Sequence, residues 1–265
     1  MLKIENVHKT FNAGTVNEKK ALRGLNLHLK PGEFVTVIGG NGAGKSTMLN
    51  CVAGAYTVES GKILIDGVDV TNLPEYKRAK FIGRVFQDPM MGTAANMWIE
   101  ENLALAARRG KPRTLRAGIT KAEREEYKEQ LKILDLGLEN RLTTKVGLLS
   151  GGQRQALTLL MATLQKPKLL LLDEHTAALD PKTAAKVLEV TQKIVEKDNL
   201  TTLMITHNMR DAIAYGNRLI MMYDGKIVVD VSGEEKKNLT VEQLLNLFSQ
   251  ASGSDEADDK LLLSK

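Results

Sequence analysis

The sequence predicts an α/β fold built around a parallel β-sheet, and two observations support this prediction. After residue 168, short apolar runs alternate with helical patterns, as "LLLLD" (169–173), the helix-like segment 181–198 and "TLMIT" (202–206) follow one another. Upstream, the apolar run "FVTVIG" (34–39) leads through a glycine-rich turn into another helix-like segment. Strands that alternate with helices form βαβ units, in which the strands lie parallel.

The rest of the chain shows two further patterns. Residues 13–20 resemble a hairpin loop, and between about 88 and 165 the apolar residues follow helical spacing. Within that region the segment 119–138 pairs a charged face with apolar positions, and Thr120 is placed to cap it. Strand patterning with Pro-Gly or Asp-Gly turn signals is found in 2–7, 22–30 and 61–70.

Composition and charge are those of a globular protein. The chain has 265 residues, 43% hydrophobic and 26% charged, which suffices for one large domain or two small ones. Its net charge of +5 permits an anionic partner without requiring one. The densest basic stretch, 107–118, contains no aromatic residue for base stacking. We therefore expect it to be a solvated loop rather than a nucleic-acid contact.

Cys51 is the only cysteine, which excludes an intramolecular disulfide and a cysteine-rich metal site. It lies in a helix-like run, where a buried thiol is expected. Charges interrupt the chain from residue 3 onward, so no signal peptide is expected, and the apolar run 169–172 is far too short to span a bilayer. We expect a cytosolic protein with an ordered domain over 1–250 and a disordered, acidic tail over 251–265.

The stretch "GGNGAGKST" (39–47) joins the apolar strand to the helix and fits the pattern of phosphate-binding loops. Its glycines allow backbone N–H groups to turn inward around a phosphate, and the helix N-terminus adds positive potential. In such loops Lys45 reaches the β- and γ-phosphates, and the Ser46 hydroxyl is a ligand for Mg²⁺. The alternative is an unrelated glycine-rich turn.

Two acidic residues follow the leucine run "LLLL". Such a run suits a central parallel strand that is buried on both faces, so Asp173 emerges at the carboxyl edge of the sheet, where ligands bind. Asp173 is thus a candidate holder of Mg²⁺, and Glu174 a candidate general base for an attacking water. The alternative is that both residues only end a strand and cap the next helix.

The stretch "LLSGGQRQA" (148–156) has the pattern of a helix start. Ser150 is a natural N-cap, and Gln153 completes a capping box. The capping box leaves Gly151 and Gly152 unexplained, since each glycine lowers helix stability relative to alanine. Their presence indicates that another group comes close to this end of the helix.

These three motifs, in this order, resemble those of the ATPase subunit of an ABC (ATP-binding cassette) transporter over about residues 1–245. The resemblance implies ATP and Mg²⁺ as cofactors. It also implies a P-loop α/β core (1–87 and 166–250) with an N-terminal antiparallel β-subdomain, and an inserted helical subdomain (88–165).

The resemblance implies roles for four residues outside the three motifs. Phe11 resembles the aromatic residue that stacks on adenine, and Gln87 in "VFQDP" the glutamine that reaches Mg²⁺ and the attacking water. His207 in "ITHN" resembles the histidine that contacts the γ-phosphate and supports Glu174. Asp180 in "AALD" resembles the loop that crosses a dimer interface. The alternatives are a core position for Phe11, a surface position for Gln87, an ordinary polar contact for His207 and a helix N-cap for Asp180.

The residues thereby implied fall into three groups. The catalytic residues are Glu174, His207, Gln87 and Lys45, and the metal ligands are Ser46, Gln87 and Asp173. The ATP-binding residues are Phe11, Gly39, Asn41, Gly42, Ala43, Gly44, Lys45, Ser46, Thr47, Ser150, Gly151, Gly152, Gln153 and Asp180. His175 stands where the family commonly has proline, and no catalytic role is expected for it.

In this family two ATPase subunits pair head to tail, so the phosphate loop of one copy faces "LSGGQ" of the other across ATP. Ser150 and the backbone N–H groups of Gly151 and Gly152 would then point at the γ-phosphate, and side chains at the two glycines would block it. The resemblance thus offers an explanation for the two glycines.

The function implied is ATP hydrolysis that drives a separate membrane permease, as in importers of small solutes such as amino acids. We expect a peripheral position at the cytoplasmic face of the cell membrane, with an extracytoplasmic solute-binding protein reached through the permease and no nucleic acid. Trp98 is expected in the core, with contact to the membrane subunit as the alternative. Two other functions stay open: a soluble ABC ATPase in DNA repair or translation, and a cassette that binds ATP without hydrolysing it.

Overall fold

The computed structural model describes residues 1–111 and 118–252. Within these ranges the strands are β1 (Leu2–Phe11), β2 (Lys19–Leu29), β3 (Phe34–Ile38), β4 (Ser60–Ile65), β5 (Val68–Asp69), β6 (Ile82–Val85), β7 (Leu169–Asp173), β8 (Thr201–Ile205), β9 (Arg218–Tyr223) and β10 (Lys226–Ser232). The helices are α1 (Lys45–Ala53), α2 (Glu75–Arg78), α3 (Ile99–Ala107), α4 (Lys121–Lys132), α5 (Gly151–Thr163), α6 (Pro181–Asp198), α7 (Met209–Ala214), α8 (Gly233–Lys237) and α9 (Val241–Ser252).

The larger sheet has the strand order β10-β9-β3-β8-β7-β6. The strands from β9 to β6 pair in parallel, and β10 pairs antiparallel with β9 at one edge. Strands β3, β7 and β8 are apolar and buried almost throughout, as expected for parallel strands that are covered on both faces. The predicted α/β fold is therefore confirmed, and the carboxyl ends of β3, β6, β7 and β8 meet at one edge.

The smaller sheet is antiparallel, with the order β2-β1-β4-β5. It shares one hydrophobic core with α1 and the larger sheet, in which Leu25, Met48 and Ile205 are completely or almost completely buried. The hairpin loop predicted over 13–20 is shorter than expected, because Lys19 and Lys20 already belong to β2 and pair with Phe11 and Thr10.

Helices α3, α4 and α5 share a second core with one face of the parallel sheet. The Thr120 cap is confirmed, because its hydroxyl accepts a hydrogen bond from the Glu123 N–H at 3.2 Å. The predicted helical segment 119–138 is wrong after residue 132: the chain leaves α4 after Lys132, and Asp135 (φ 52°) and Gly137 (φ 69°) adopt left-handed conformations.

The basic stretch 107–118 is described only in part, since residues 112–117 lie outside the described ranges. At its start, Arg108 pairs with Glu123 at 2.8 Å, and Arg109 donates a hydrogen bond to the Ala162 carbonyl at 3.1 Å. Both arginines therefore contact neighbouring segments; Arg108 stays 40% exposed, whereas Arg109 is partly buried and departs from the expected solvated loop.

The end of the chain also differs from the expectation. Helix α9 continues through Ser252, so the tail predicted over 251–265 does not begin at 251. Its remainder, 253–265, lies outside the described residues. Among the described residues, no helix is both long and apolar enough to cross a membrane.

A buried arginine, which no sequence motif indicated, donates hydrogen bonds to the C-terminal end of α1. Arg78 is 2% exposed, and its guanidinium donates hydrogen bonds to the carbonyls of Cys51, Val52, Leu73 and Thr71 at 2.8–3.0 Å. Helix C-termini leave carbonyls without intrahelical partners, so a buried cation there satisfies several at once. Arg78 thus fixes the helix whose other end follows the glycine-rich turn.

His175, directly after the two acidic residues, is a core residue. Its side chain is 2% exposed, and Nε2 lies 3.1 Å from the Thr191 hydroxyl, which itself donates to the Val187 carbonyl. The Thr191 oxygen therefore accepts from His175, whose ring is neutral with the proton on Nε2. Burial lowers the pKa of His175 to about 4. This agrees with the expectation that it has no catalytic role.

Because the imidazole of His175 is buried and neutral, the free energy of unfolding should decrease as the pH falls. Between the ordinary pKa of 6.5 and the folded-state pKa of about 4, the unfolded chain binds more protons than the folded chain, so the free energy of unfolding decreases as the pH drops through this window. His175→Gln keeps a donor towards Thr191 but does not titrate. Between pH 7 and pH 5, we expect the wild type to lose about 2 kcal/mol more unfolding free energy than this variant. Urea unfolding followed by Trp98 fluorescence measures both, and equal losses would contradict the assignment.

Candidate active site

The glycine-rich turn 39–47 depends on backbone conformations that only glycine adopts easily. Gly39, Gly42 and Gly44 have φ values of 147°, 81° and 103°. A Cβ at Gly39 would lie 2.2 Å from the Met222 carbonyl oxygen, and one at Gly44 would lie 2.6 Å from the Ala21 carbonyl oxygen. The turn is therefore packed against neighbouring backbone, and helix α1 begins within the motif, at Lys45.

A cavity of about 240 Å³ opens over this turn. Gly39 does not line it, because it packs behind the turn against Met222. Glu174 reaches the cavity from the end of β7, while Phe11 reaches it from the end of β1. Of the predicted residues, those that line it are Phe11, Asn41, Gly42, Ala43, Gly44, Lys45, Ser46, Thr47 and Glu174.

Lys45 is the buried cation of this cavity. Only 8% of it is exposed, and its Nζ donates to the carbonyls of Gly39 and Gly40 at 2.6 and 3.2 Å. Burial lowers the pKa of Lys45, and the negative charges of Glu174 and Asp173 oppose that change. A cation held by backbone carbonyls in a cavity lined by glycines fits a phosphate group, since the anion would replace these weaker partners.

Phe11 and Lys19 add an aromatic ring and a second cation to the lining of the cavity. Phe11 makes an edge-to-face contact with Tyr56, with ring centroids 5.4 Å apart. Lys19 pairs with Phe11 across β1 and β2, and its Nζ lies 3.0 Å from where a Cβ on Gly42 would be. The sequence analysis missed Tyr56 and Lys19, because their positions depend on the hairpin register and on the chain reversal after α1.

Asp173 and Glu174 lie at the carboxyl edge of the parallel sheet, as predicted. Asp173 ends β7, and the Glu174 N–H donates to the Ile205 carbonyl of β8 at 3.1 Å. Burial raises the pKa of Asp173, an effect that Arg84 opposes with its Nη2 3.7 Å from Asp173 Oδ2. Glu174 has a φ of 44°, a left-handed conformation that costs a non-glycine residue of this kind about 1–2 kcal/mol. Such strain is characteristic of functional positions.

His207 and Gln87 approach the same edge. His207 follows β8, and its Nδ1 lies 3.9 Å from Glu174 Oε2. Gln87 comes two residues after β6, and because Val85 pairs with Leu172, its backbone is near the level of Glu174. The Gln87 side chain is exposed. The oxygen atoms of Ser46, Asp173 and Gln87 are of the type that Mg²⁺ prefers, so the residues fit this metal.

The capping box of "LSGGQ" is present at the start of α5. Ser150 Oγ accepts from the Gln153 N–H at 3.3 Å, and Gln153 Oε1 accepts from the Ser150 N–H at 3.2 Å. Asp180 is the N-cap of α6, where its side chain accepts a 3.1 Å hydrogen bond from the Thr183 N–H. The alternative role of Asp180 as an N-cap is thus confirmed, whereas a role across a dimer interface stays a prediction.

The two glycines of α5 have different surroundings. A Cβ at Gly152 would lie 2.0 Å from Thr183 Cγ2, so close packing against α6 already requires glycine there. A Cβ at Gly151 would meet only Leu179 Cδ2, the end of a flexible side chain, at 3.3 Å. Within this chain, the start of α5 does not line the cavity that holds Lys45 and Glu174.

Trp98 is 42% exposed, so the expected core position is wrong. It precedes α3 and lines an open cavity of about 1600 Å³, which we call the lateral groove. The wall of the groove also carries exposed apolar side chains at Tyr76, Met91 and Leu105, together with Glu75 and Arg84. A patch of this kind marks an interaction surface.

Comparison with known proteins agrees with this geometry. The sequence profile described as "ABC transporter" matches residues 22–177. The chain is 47% identical over 95% of its length to the "Tyrosine transport ATP-binding protein" of Clostridioides difficile (strain R20291), and covers 100% of that protein. It is 33% identical over 87% of its length to "Phosphonates import ATP-binding protein PhnC" of Alcaligenes faecalis, and covers 82% of that protein.

A solved structure is similar in both fold and sequence. It is described as a dimeric post-hydrolysis state of the ATP-binding cassette MJ0796 bound to ADP and Pi. The TM-score is 0.74 and the identity 33%, over 88% of this chain and 98% of that one. The chain therefore belongs to the ABC transporter family, as an ATP-binding subunit that hydrolyses ATP.

Proposed function

We propose that two copies of this chain close head to tail around ATP and thereby drive a separate permease that imports a small solute such as an amino acid. The observation that carries this proposal is the division of the site: the start of α5 lies away from the cavity of its own chain. The dimeric cassette and the tyrosine transport protein among the relatives support the dimer and the solute class. In this proposal the chain is peripheral at the cytoplasmic face of the membrane, and an extracytoplasmic binding protein delivers the solute.

Nucleotide binding follows from the cavity. The N–H groups of the glycine-rich turn and the ammonium of Lys45 hold the phosphates, and Phe11 offers its ring to adenine. Ser46, Asp173 and Gln87 would hold Mg²⁺, which neutralises charge on the phosphates when bound. The 13-residue helix α5 of the second copy would direct its N-terminus at the γ-phosphate. Ser150 Oγ already accepts a bond from Gln153, so its O–H is available to donate.

Hydrolysis requires a base at the γ-phosphate. The Glu174 carboxylate would take a proton from water as the water oxygen bonds to phosphorus and the bond to the bridging oxygen breaks. His207 Nδ1 lies 3.9 Å from Glu174 Oε2, from where it would support this carboxylate and contact the γ-phosphate. The left-handed backbone of Glu174, fixed by the N–H bond to Ile205, orients the carboxylate in advance.

The lateral groove is the surface that we assign to the permease. It lies where the proposed P-loop core (1–87 and 166–250) meets the proposed helical subdomain (88–165), and Gln87 begins the connection between the two. Exposed apolar side chains such as Trp98 and Leu105 suit insertion of a helix from a membrane protein. When the dimer closes, movement of the helical subdomain would then be transmitted to a permease helix bound in this groove.

Replacement of the proposed base should separate binding from chemistry. Glu174→Gln preserves shape and the left-handed backbone but cannot accept a proton, so we expect ATP binding within about threefold of wild type and a fall in turnover of at least about 100-fold. We also expect the variant with ATP to elute as a dimer in gel filtration. His175→Gln, one residue away in the core, is the matched control and should hydrolyse ATP at a near wild-type rate. Undiminished turnover in Glu174→Gln would contradict the assignment of the base.

A negative charge introduced into the lateral groove should prevent the permease from binding. The tagged chain, extracted in mild detergent from its native cells, is expected to bring a polytopic membrane protein with it, identified by mass spectrometry. Leu105→Glu should abolish this recovery because it places a carboxylate in the apolar wall. Val68→Glu alters a similarly exposed apolar residue on the antiparallel sheet and should retain it. A soluble nucleic-acid or ribosomal partner, without a membrane protein, would contradict the transport function.

A further inference from the structure

Arg84 occupies an unusual position between the lateral groove and the acidic end of β7. It lies on β6, where it pairs with Leu171, and its side chain is only 13% exposed. Arg84 is one of the residues that line the groove, yet its Nη2 is 3.7 Å from Asp173 Oδ2. One side chain thus reaches from an exposed surface to the proposed metal ligand.

The guanidinium is held by groups other than Asp173. Nη2 donates a 2.6 Å hydrogen bond to Asn50 Oδ1 on α1, and the guanidinium lies 4.5 Å from the centre of the Phe86 ring. Nη1 is 3.7 Å from Glu75 Oε1 on α2, and Nε has no hydrogen-bond partner within the described residues. The contacts with Asn50 and Phe86 therefore fix the position of the Arg84 guanidinium, which lies at the same distance from the carboxylates of Glu75 and Asp173.

A distance of 3.7 Å is too long for a hydrogen bond but short enough for strong electrostatic attraction. Asp173 is partly buried, with 18% of its side chain exposed, so its charge needs nearby cations, which are Arg84 and Lys45. Because no tight bidentate pair exists, Asp173 can turn to another cation without breaking a hydrogen bond to Arg84. This arrangement differs from a structural salt bridge, which would hold the carboxylate permanently.

Given the proposed role of Asp173 as a metal ligand, on which this step rests, we propose that Arg84 is a positioning residue that compensates the charge of Asp173 and opposes the divalent cation. The fixed positive charge of Arg84 lowers the affinity of the site for Mg²⁺. Because Glu75 lines the groove and partly neutralises Arg84, a change in the charge of Glu75 also changes that affinity. Loss of the Glu75 charge would leave the positive charge of Arg84 less compensated near Asp173 and would weaken metal binding further.

The test is Mn²⁺ binding to the full chain with ADP, followed by electron paramagnetic resonance, which requires no catalytic turnover. Arg84→Gln should tighten Mn²⁺ binding by about three- to tenfold, because a cation close to the metal is lost. Arg84→Lys retains the charge and should stay within about twofold of wild type. Arg23→Gln removes an arginine on the antiparallel sheet, where it pairs with Asp224, and should leave the affinity unchanged.

Glu75→Gln serves as a second variant that is safe for folding, because the Glu75 side chain is 56% exposed. It should weaken Mn²⁺ binding, opposite in sign to Arg84→Gln. Unchanged or weaker binding in a folded Arg84→Gln, or unchanged binding in Glu75→Gln, would overturn the proposal. Asp173→Asn distinguishes failure of the proposed metal site from failure of the proposed role of Arg84. If this variant binds Mn²⁺ like wild type, the proposed metal site is wrong. If it loses Mn²⁺ and Arg84→Gln does not gain it, only the role of Arg84 is wrong.

Discussion

The contact on which the site depends is that between the glycine-rich turn and the backbone beside it. Only glycine fits at 39 and 44, because Cβ atoms there would lie 2.2 Å from the Met222 carbonyl oxygen and 2.6 Å from the Ala21 carbonyl oxygen. This close approach joins the parallel sheet, through Met222 on β9, to the antiparallel sheet, through Ala21 on β2. It also sets the point at which α1 begins, and so the position of Lys45. A Cβ at either glycine would displace the turn, and with it the groups that face the phosphates.

Features encoded by neighbouring residues could be predicted from the sequence. The alternation after residue 168 indicated β7, α6 and β8, and Thr120 and Ser150 indicated the caps of α4 and α5, because capping depends on residues three positions apart. The motif at 39–47 likewise indicated the phosphate turn. The exposure of Trp98 could not be predicted, because it depends on how distant segments pack around the groove.

Gly152 and Arg84 show a second reason why sequence reasoning is incomplete. The glycine was explained by resemblance as room for a phosphate of another copy, yet Thr183 of the same chain already excludes a side chain there. One residue can therefore satisfy a packing constraint and a functional one, and the pattern does not separate them. Arg84 carries no motif, and its proximity to Asp173 arises from the pairing of β6 with β7. Gly151, which meets only the tip of Leu179, is the better probe of the proposed contact between copies.

The central claim is that each ATP site is completed by a second copy, and mixing two inactive variants tests it most directly. Lys45→Met damages the phosphate turn, and Gly151→Ala damages the start of α5 at the cost, inside its own chain, of only a small shift of the flexible Leu179 side chain. In a head-to-tail pair of these variants, one site carries both defects and the other carries none. An equimolar mixture should therefore regain about a quarter of the wild-type ATPase rate, although each variant alone is inactive. A mixture that stays as inactive as its components, with both chains folded and able to exchange, would contradict the account.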